Sequence, residues 1–513
     1  MKAVVVVPPV FDFYHTPHRT AGLGAEIVLR LLRDRGWQAK LLNFPAQCPK
    51  GVKADLPEAL NHLRPYLLAG ESGRLAFFSR YQRFGPSLEE CRRQILDNHP
   101  DLVFISCFAF CYAETALDLA VALSRDGDRP IIACGGAGVS AHPDYFMQSA
   151  AVDFAFVGEA EVALPLFLEV TASENGDFER VPNLFYKQRQ RTVAPTQITR
   201  TVADEIAFVL TKTAETDAAV FYSTALSRGC PKACRFCSNF ISQGRRFRTV
   251  PLEKIRRALA DQIGRGPVDC AKQVIVNFED DNFLWDPDYF FSVLDLFKAI
   301  WPRAGFLAEN GMDYTLLTPD LLEKLLQYGM KQFNFSLVSN DTDLLRQEKR
   351  TSDRRRYETI IGRLQQADIP CITYFICGLK NDSPEKTVDN LAYLAQQPTR
   401  VGISLFYPVP GLPDFRDPAL FDDVRPVLCA GSSAWPWNQS LSTGQMITAF
   451  RLSRLVDLMK SRRRTPWDEL LLERSLKDQR LYTLSREGRQ KVVVPVPGMD
   501  GGMVRLFFER CRL

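Results

Sequence analysis

The chain has 513 residues, 46% hydrophobic and 24% charged, which is the balance of an ordinary soluble protein with room for two or three cored domains. A net charge of +4 with the two signs interspersed gives no basic stripe, so no nucleic-acid partner is expected. Thirteen scattered cysteines argue against a disulfide framework and for a reducing cytoplasm, and the N-terminal apolar run, broken by Pro8 and Pro9, is too short for a signal sequence or membrane span.

The first predicted elements alternate. Residues 2–9 form a buried strand, Leu23, Ile27, Val28, Leu31 and Leu32 make the apolar stripe of a helix ending at Gly36, and WQAKLLNF (37–44) is a second strand. A helical insertion over about 57–98 precedes the strand DLVFISCF (101–108), a helix over 113–125, the strand RPIIACGG (129–136), a helix near 143–148 and the strand VDFAFVGEAE (152–161). This order predicts a doubly wound α/β domain of five strands over 1–175, with ligands bound beyond the strands' carboxyl ends. Those ends carry Pro8, Pro9, Ser106, Cys107, Gly135, Gly136, Gly158 and Glu159.

Residues 176–217, with the strand-like VPNLFY and polar, threonine-rich stretches, read as a linker. From 218 six strand-like runs recur (AVFYST, QVIVNF, GFLAE, QFNFSL, CITYFI, GISLFY), with helix starts at Pro251, Pro319, Asp353 and Pro384 between them. Six βα units over 218–415 predict a partial, splayed barrel whose site lies at the strands' carboxyl ends. The tail, 416–513, reads as a mainly helical C-terminal domain, with an amphipathic helix to about Lys460 capped by Arg462, Arg463 and Arg464.

After the first barrel strand comes SRGCPKACRFCSN (227–239), which places Cys230, Cys234 and Cys237 within eight residues. A structural zinc site takes four protein ligands, usually in two pairs. Here the next cysteine is Cys270, and all five histidines (His15, His18, His62, His99, His142) lie upstream. Three thiolates can instead hold three corners of a four-iron cluster and leave one iron open to a small molecule. Zinc, or three packed thiols, are the other readings of the same residues, the second disfavoured by Lys232 and Arg235 in the loop.

The CxxxCxxC spacing and the CRFCSN that closes it resemble the signature of the radical S-adenosylmethionine (SAM) enzymes. The resemblance implies that Cys230, Cys234 and Cys237 hold a 4Fe–4S cluster, with the SAM amino and carboxylate groups on the fourth iron. It extends along the barrel. NFEDDNF (277–283) stands where relatives place an acidic segment for the SAM amino group, which implies Glu279, Asp280 and Asp281. FNFSLVSND (333–341) has Val338 where a glutamate is usual, leaving Ser336 and Ser339 for the ribose or carboxylate. FICGLKNDSPE (375–385) implies Ile376 and Gly378 beside adenine, YPVPGLPDF (407–415) implies Tyr407 and Pro408 closing over it, and Phe236 completes the implied SAM contacts. The first domain is similar to the Rossmann-like cobalamin-binding domain that precedes one branch of these barrels, by its proline-rich first loop, the GG of CGGAGVSAHPD and GEAE. Pro8, Pro9, Ser106, Gly135, Gly136, Gly158 and Glu159 are then the implied cobalamin contacts. The DxHxxG motif is absent, so cobalt is expected without a protein histidine, although His15, His18 and His142 fall on the same loops.

The resemblance implies a cobalamin-dependent radical SAM methyltransferase acting on an unactivated carbon of a small molecule or peptide. The alternatives are a cyclase, ring-rearrangement or oxidation enzyme of the same layout, and a non-catalytic cobalamin or cluster sensor. The implied partners are that substrate and an external electron donor such as flavodoxin or ferredoxin. The chain is expected to be a cytoplasmic monomer with no membrane contact.

Overall fold

A computed structural model describes the whole chain except residues 16–21, 78–79, 126–128, 174–175, 190, 265–270, 488–489 and 512–513. His18 and Cys270 therefore lie outside the described residues.

The first sheet has seven strands: β1 (Lys2–Val7), β2 (Gln38–Asn43), β3 (Leu102–Ser106), β4 (Ile131–Gly135), β5 (Phe154–Phe156), β6 (Leu184–Gln188) and β7 (Arg191–Val193). Their spatial order is β7-β6-β5-β4-β3-β1-β2, and the first five in sequence are parallel. The direction of winding reverses between β1 and β3, which makes the crevice at their carboxyl ends the expected ligand position. β1 is apolar from Ala3 to Val7 because helices cover both faces of the sheet. The VPNLFY stretch is no linker: Leu184–Gln188 pairs antiparallel with β5, so the first sheet runs on past residue 175. A three-residue apolar run has no periodicity of its own, and only the open edge of β5 decides where it goes.

The barrel strands are β8 (Thr211–Glu215), β9 (Ala219–Thr224), β10 (Gln273–Phe278), β11 (Gly305–Leu307), β12 (Phe333–Val338), β13 (Cys371–Cys377) and β14 (Arg400–Leu405). β9 to β14 are the six expected parallel strands, in two sheets of successive neighbours joined by the bridges Phe306–Met330 and Met312–Phe335, and β8 adds an antiparallel edge. Three of the four expected helix starts carry side-chain caps. Thr318 Oγ1 accepts from Leu321 N at 3.2 Å, Asp353 Oδ1 from Arg356 N at 3.0 Å and Ser383 Oγ from Lys386 N at 3.2 Å.

The tail helix Thr443–Lys460 ends where expected, but it is buried nearly all round rather than along one stripe. Arg451 within it is fully buried and ion-paired with the fully buried Glu71 of the insertion, at 2.5 Å. Arg464 caps it, donating from Nε to Leu458 O at 3.1 Å. A hairpin, Tyr482–Glu487 with Gln490–Pro495, joins the helices of this region. No helix among the described residues is long and apolar enough to cross a membrane.

Candidate active site

The cysteine loop leaves the carboxyl end of β9 and is held from beneath by Asp280, which follows β10. Both Asp280 carboxylate oxygens accept from Leu226 N, at 3.0 and 3.1 Å, and Oδ1 accepts from Ser227 Oγ at 2.5 Å. Burial raises this carboxyl to about 6, against the hydrogen bonds that lower it. Ser227–Arg228 then pairs with Arg248–Thr249, and Gly229 takes φ +79° with the Arg246 carbonyl so close that a β-carbon has no room. Cys234 is buried, Cys230 and Cys237 are half-buried, and all three thiols are free.

Asn282 Nδ2 lies 3.9 Å from Cys230 Sγ. Asp281 Oδ1 accepts from Asn239 at 2.7 Å, while Asp281 Oδ2 and Asn282 Oδ1 are buried without a hydrogen-bond partner among the described residues. Burial pushes the Cys230 thiol up and the Cys237 thiol up to about 11, so taking up a cluster means displacing protons from these sulfurs. No three His, Cys, Asp or Glu side chains among the described residues converge on a single ion. A cubane is wider than an ion, and three thiols at its corners do not need to converge. The free thiols and the orphaned polar atoms beside them fit such a group.

The structure gathers some of the expected SAM residues and buries others. Phe236 and Ile376 pack in one cluster with Val338, Leu345, Leu379 and Phe406. Gly378, at φ +88°, receives a hydrogen bond on its carbonyl from Asn438 Nδ2 at 3.0 Å. Val338 has φ 71°, an outlier for a β-branched residue, at a bulge that re-aims the end of β12 beside the half-buried Ser336. Glu279 accepts from Asn277 Nδ2 at 2.6 Å and faces the cavity described below. Asp280 and Ser339 are corrections: both are buried and engaged, Ser339 Oγ with Asn390 Nδ2 at 3.3 Å and Asp341 N at 3.1 Å, so neither is turned to a ligand. Pro408 is buried, whereas Tyr407 is 42% exposed as a residue, and burial of its hydroxyl pushes it up to about 12.

The carboxyl ends of the first sheet open on a cavity of about 260 Å3. Ser106, Gly135, Gly136, Gly158 and Glu159 line it, and so do Arg228 and Glu279 from the barrel. One cavity thus touches both domains. Pro8 and Pro9 are a correction: they are buried, Pro9 against Gly85, and the start of the helix Leu23–Asp34 takes their place in the lining. Glu159 links the two halves. Its Oε2 accepts from Arg248 Nη1 at 2.9 Å and Thr201 N at 3.0 Å, while Oε1 is buried without a hydrogen-bond partner among the described residues. His142 is packed among Phe110, Tyr145 and Phe421, and His15 lies against Phe84, neither of them in the lining. Arg228 was missed as a site residue although it stands inside the cysteine motif. Leu23 and Gly24 gave no signal, because only the fold brings a helix start to that slot.

Residues 224–394 match the model of the Radical SAM superfamily. The chain carries a radical SAM domain. Among relatives, a bacteriochlorophyllide d C-12(1)-methyltransferase of Chlorobaculum tepidum is 27% identical over 39% of this chain and 42% of its own length. An uncharacterised methyltransferase of Synechocystis is 33% identical over 25% of this chain and 21% of its own. The chain thus matches less than half the length of either relative. Among solved structures, the radical SAM methyltransferase TsrM of Kitasatospora setae, with cobalamin and a 4Fe–4S cluster bound, superposes with a TM-score of 0.55 at 15% identity, over 80% of this chain and 73% of that one. The cobalamin-dependent SAM radical enzyme OxsB superposes with a TM-score of 0.53 at 14% identity, over 77% and 52%. At these identities the likeness is one of fold, and at about four fifths of the chain it reaches beyond the segment matched by the family model.

Proposed function

We propose that the chain is a cobalamin-dependent radical SAM methyltransferase that alkylates an unactivated carbon of a small molecule or peptide. The observation that carries this reading is the single cavity walled by the first domain's strand-end loops and by Arg228 and Glu279 beside the three-cysteine loop. Cluster and SAM together supply a 5'-deoxyadenosyl radical, and methylcobalamin supplies the methyl group.

The protein's part is to hold and orient. Cys230, Cys234 and Cys237 would hold the cluster. Glu279, Asp281 and Ser336 are the polar groups for SAM, and Phe236, Ile376, Gly378 and Tyr407 form the wall for its adenine. Ser106, Gly135, Gly136, Gly158 and Glu159 would receive cobalamin, with Glu159 Oε1 as a ready acceptor. About 260 Å3 is at the small end of ligand pockets, so this slot takes part of a large cofactor and not all of it. No histidine among the described residues lines the slot, so neither His15 nor His142 would supply cobalt with a protein nitrogen there. The relatives named as methyltransferases favour methyl transfer over cyclisation, rearrangement or oxidation. An open corner of the cluster serves turnover, which speaks against a sensor. The free thiols suit a cytoplasmic monomer supplied with electrons by a carrier protein.

The deciding experiment is anaerobic reconstitution with iron, sulfide and hydroxocobalamin, followed by incubation with SAM, a strong reductant and extracts of a deletion strain. S-adenosylhomocysteine and 5'-deoxyadenosine in equal amounts are expected. 5'-Deoxyadenosine alone would overturn methyl transfer, and neither product would overturn the radical SAM reading.

A further inference from the structure

Between its first and last cysteines the loop has one exposed residue, Ala233, which stands between the half-buried Lys232 and the buried Cys234. Cations surround that point. Arg245 Nη1 donates to Lys232 O at 2.6 Å and its guanidinium lies 4.2 Å from the Phe240 ring centroid. Arg246, next in the chain, has its carbonyl against Gly229. Lys349 follows Glu348, whose carbonyl accepts from Arg235 N at 3.1 Å. Arg245, Arg246 and Lys349 are exposed, and none is paired with a carboxylate among the described residues. Two nearby acids are already neutralised: Asp313 by Lys232 and Arg350, Asp414 by Arg235. Glu348 is raised to about 7 by burial.

We propose that this collar around Ala233 is the docking surface of a small acidic one-electron carrier protein. The inference rests on the cluster reading above, since each cleavage of SAM consumes one electron. The carrier is oxidised by one electron, the bond between the sulfonium sulfur and the nucleoside carbon breaks, methionine leaves as a closed-shell thioether, and the carbon keeps the unpaired electron. No proton moves. The electron has to enter where the cluster loop comes closest to solvent. Interfaces of redox partners are small and weak, so a few unpaired charges suffice to steer and orient the encounter. An acidic partner gains from this collar because its cations have no internal partner to leave.

The test uses the reconstituted full chain and a purified acidic flavodoxin in its hydroquinone form, with dithionite as a small-molecule control. The double charge reversal Arg246→Glu with Lys349→Glu should slow cluster reduction by flavodoxin about ten-fold or more at low salt and flatten its salt dependence. Reduction by dithionite should be unchanged, and Arg246→Lys with Lys349→Arg should retain the flavodoxin rate. Equal flavodoxin rates in wild type and the reversed variant would overturn the proposal. So would an RNA oligonucleotide that binds the collar more tightly than flavodoxin and displaces it. If no dithionite-reducible cluster forms, it is the cluster reading that falls. Direct low-salt binding of flavodoxin to the chain, present in wild type and lost in the reversed variant, then still decides the surface.

Discussion

Cys230, Cys234 and Cys237 carry the heaviest demand of any side chains here. Two remaining thiolates cannot hold a cubane firmly, so each single Cys→Ala variant, reconstituted anaerobically, should lose most of its iron, sulfide and visible absorption. Cys371→Ala should keep them, because its buried thiol lies 3.5 Å from Pro398 O at the far end of β13. Asp280 gives a pH signature. Its carboxyl is raised by burial from 3.8 to about 6, so the folded chain binds this proton more tightly than the unfolded one. The stabilisation is fully present below the unfolded value and is lost as pH rises through about 6, a change of at most roughly 3 kcal/mol. Urea midpoints of the cluster-free chain should therefore fall between pH 4 and pH 6.5 more steeply in wild type than in Asp280→Asn.

Two connecting elements tie the site to its scaffold. The hairpin that opens the cysteine loop needs glycine at 229, since the backbone is left-handed and the Arg246 carbonyl occupies the space of a side chain. Gly229→Ala should cost about 1–3 kcal/mol and lower iron content per chain, both measurable on one preparation. The second element is the helix Thr443–Lys460, held to the insertion by the buried Arg451–Glu71 pair. Arg451→Met alone strands a buried carboxylate and should destabilise by about 3–5 kcal/mol, whereas Arg451→Met with Glu71→Leu should regain most of the loss. A double variant no more stable than the single one would show that the pair stabilises in its own right.

At the scale of the whole molecule the decisive arrangement is that both sets of strand ends face one cavity. A substrate radical has to meet its methyl donor without diffusing, and reacting atoms held about 3 Å away on each side of an intervening substrate place the two metal centres on the order of 10 Å apart. A pulsed spin-resonance distance between cob(II)alamin and the reduced cluster measures this. A separation well above twice that, with no closure on adding substrate, would exclude direct transfer within one chain. The cob(II)alamin spectrum should also lack strong nitrogen splitting: among the described histidines His142 is enclosed by aromatic rings and His15 is absent from the lining, and a splitting that vanishes in His18→Ala would overturn this.

What the sequence determined by itself was local in origin. The cysteine spacing, the apolar strand runs and the capped helix starts at Thr318, Asp353 and Ser383 depend on a few neighbouring residues, so they can be read without knowing the fold. The same holds for Gly135, Gly136 and Gly158, whose placement after strands follows from chain order in a doubly wound sheet. The tertiary structure decided everything that depends on what a residue faces. Asp280 and Asp281 are adjacent acids with the same raised carboxyl, yet one is spent on the loop beneath the cysteines while the other keeps an orphaned oxygen beside them. Pro8 and Pro9 stand at a strand end but are buried, Pro9 against Gly85 of the insertion, and the helix start at Leu23 replaces them in the cavity. Leu184–Gln188 joins the first sheet because β5 offers it an open edge. The Glu159–Arg248 pair, 89 residues apart, forms only because two separately legible domains close on one another. Burial and partnership are properties of the closed chain, and a linear pattern carries them only where the partners are also neighbours in sequence.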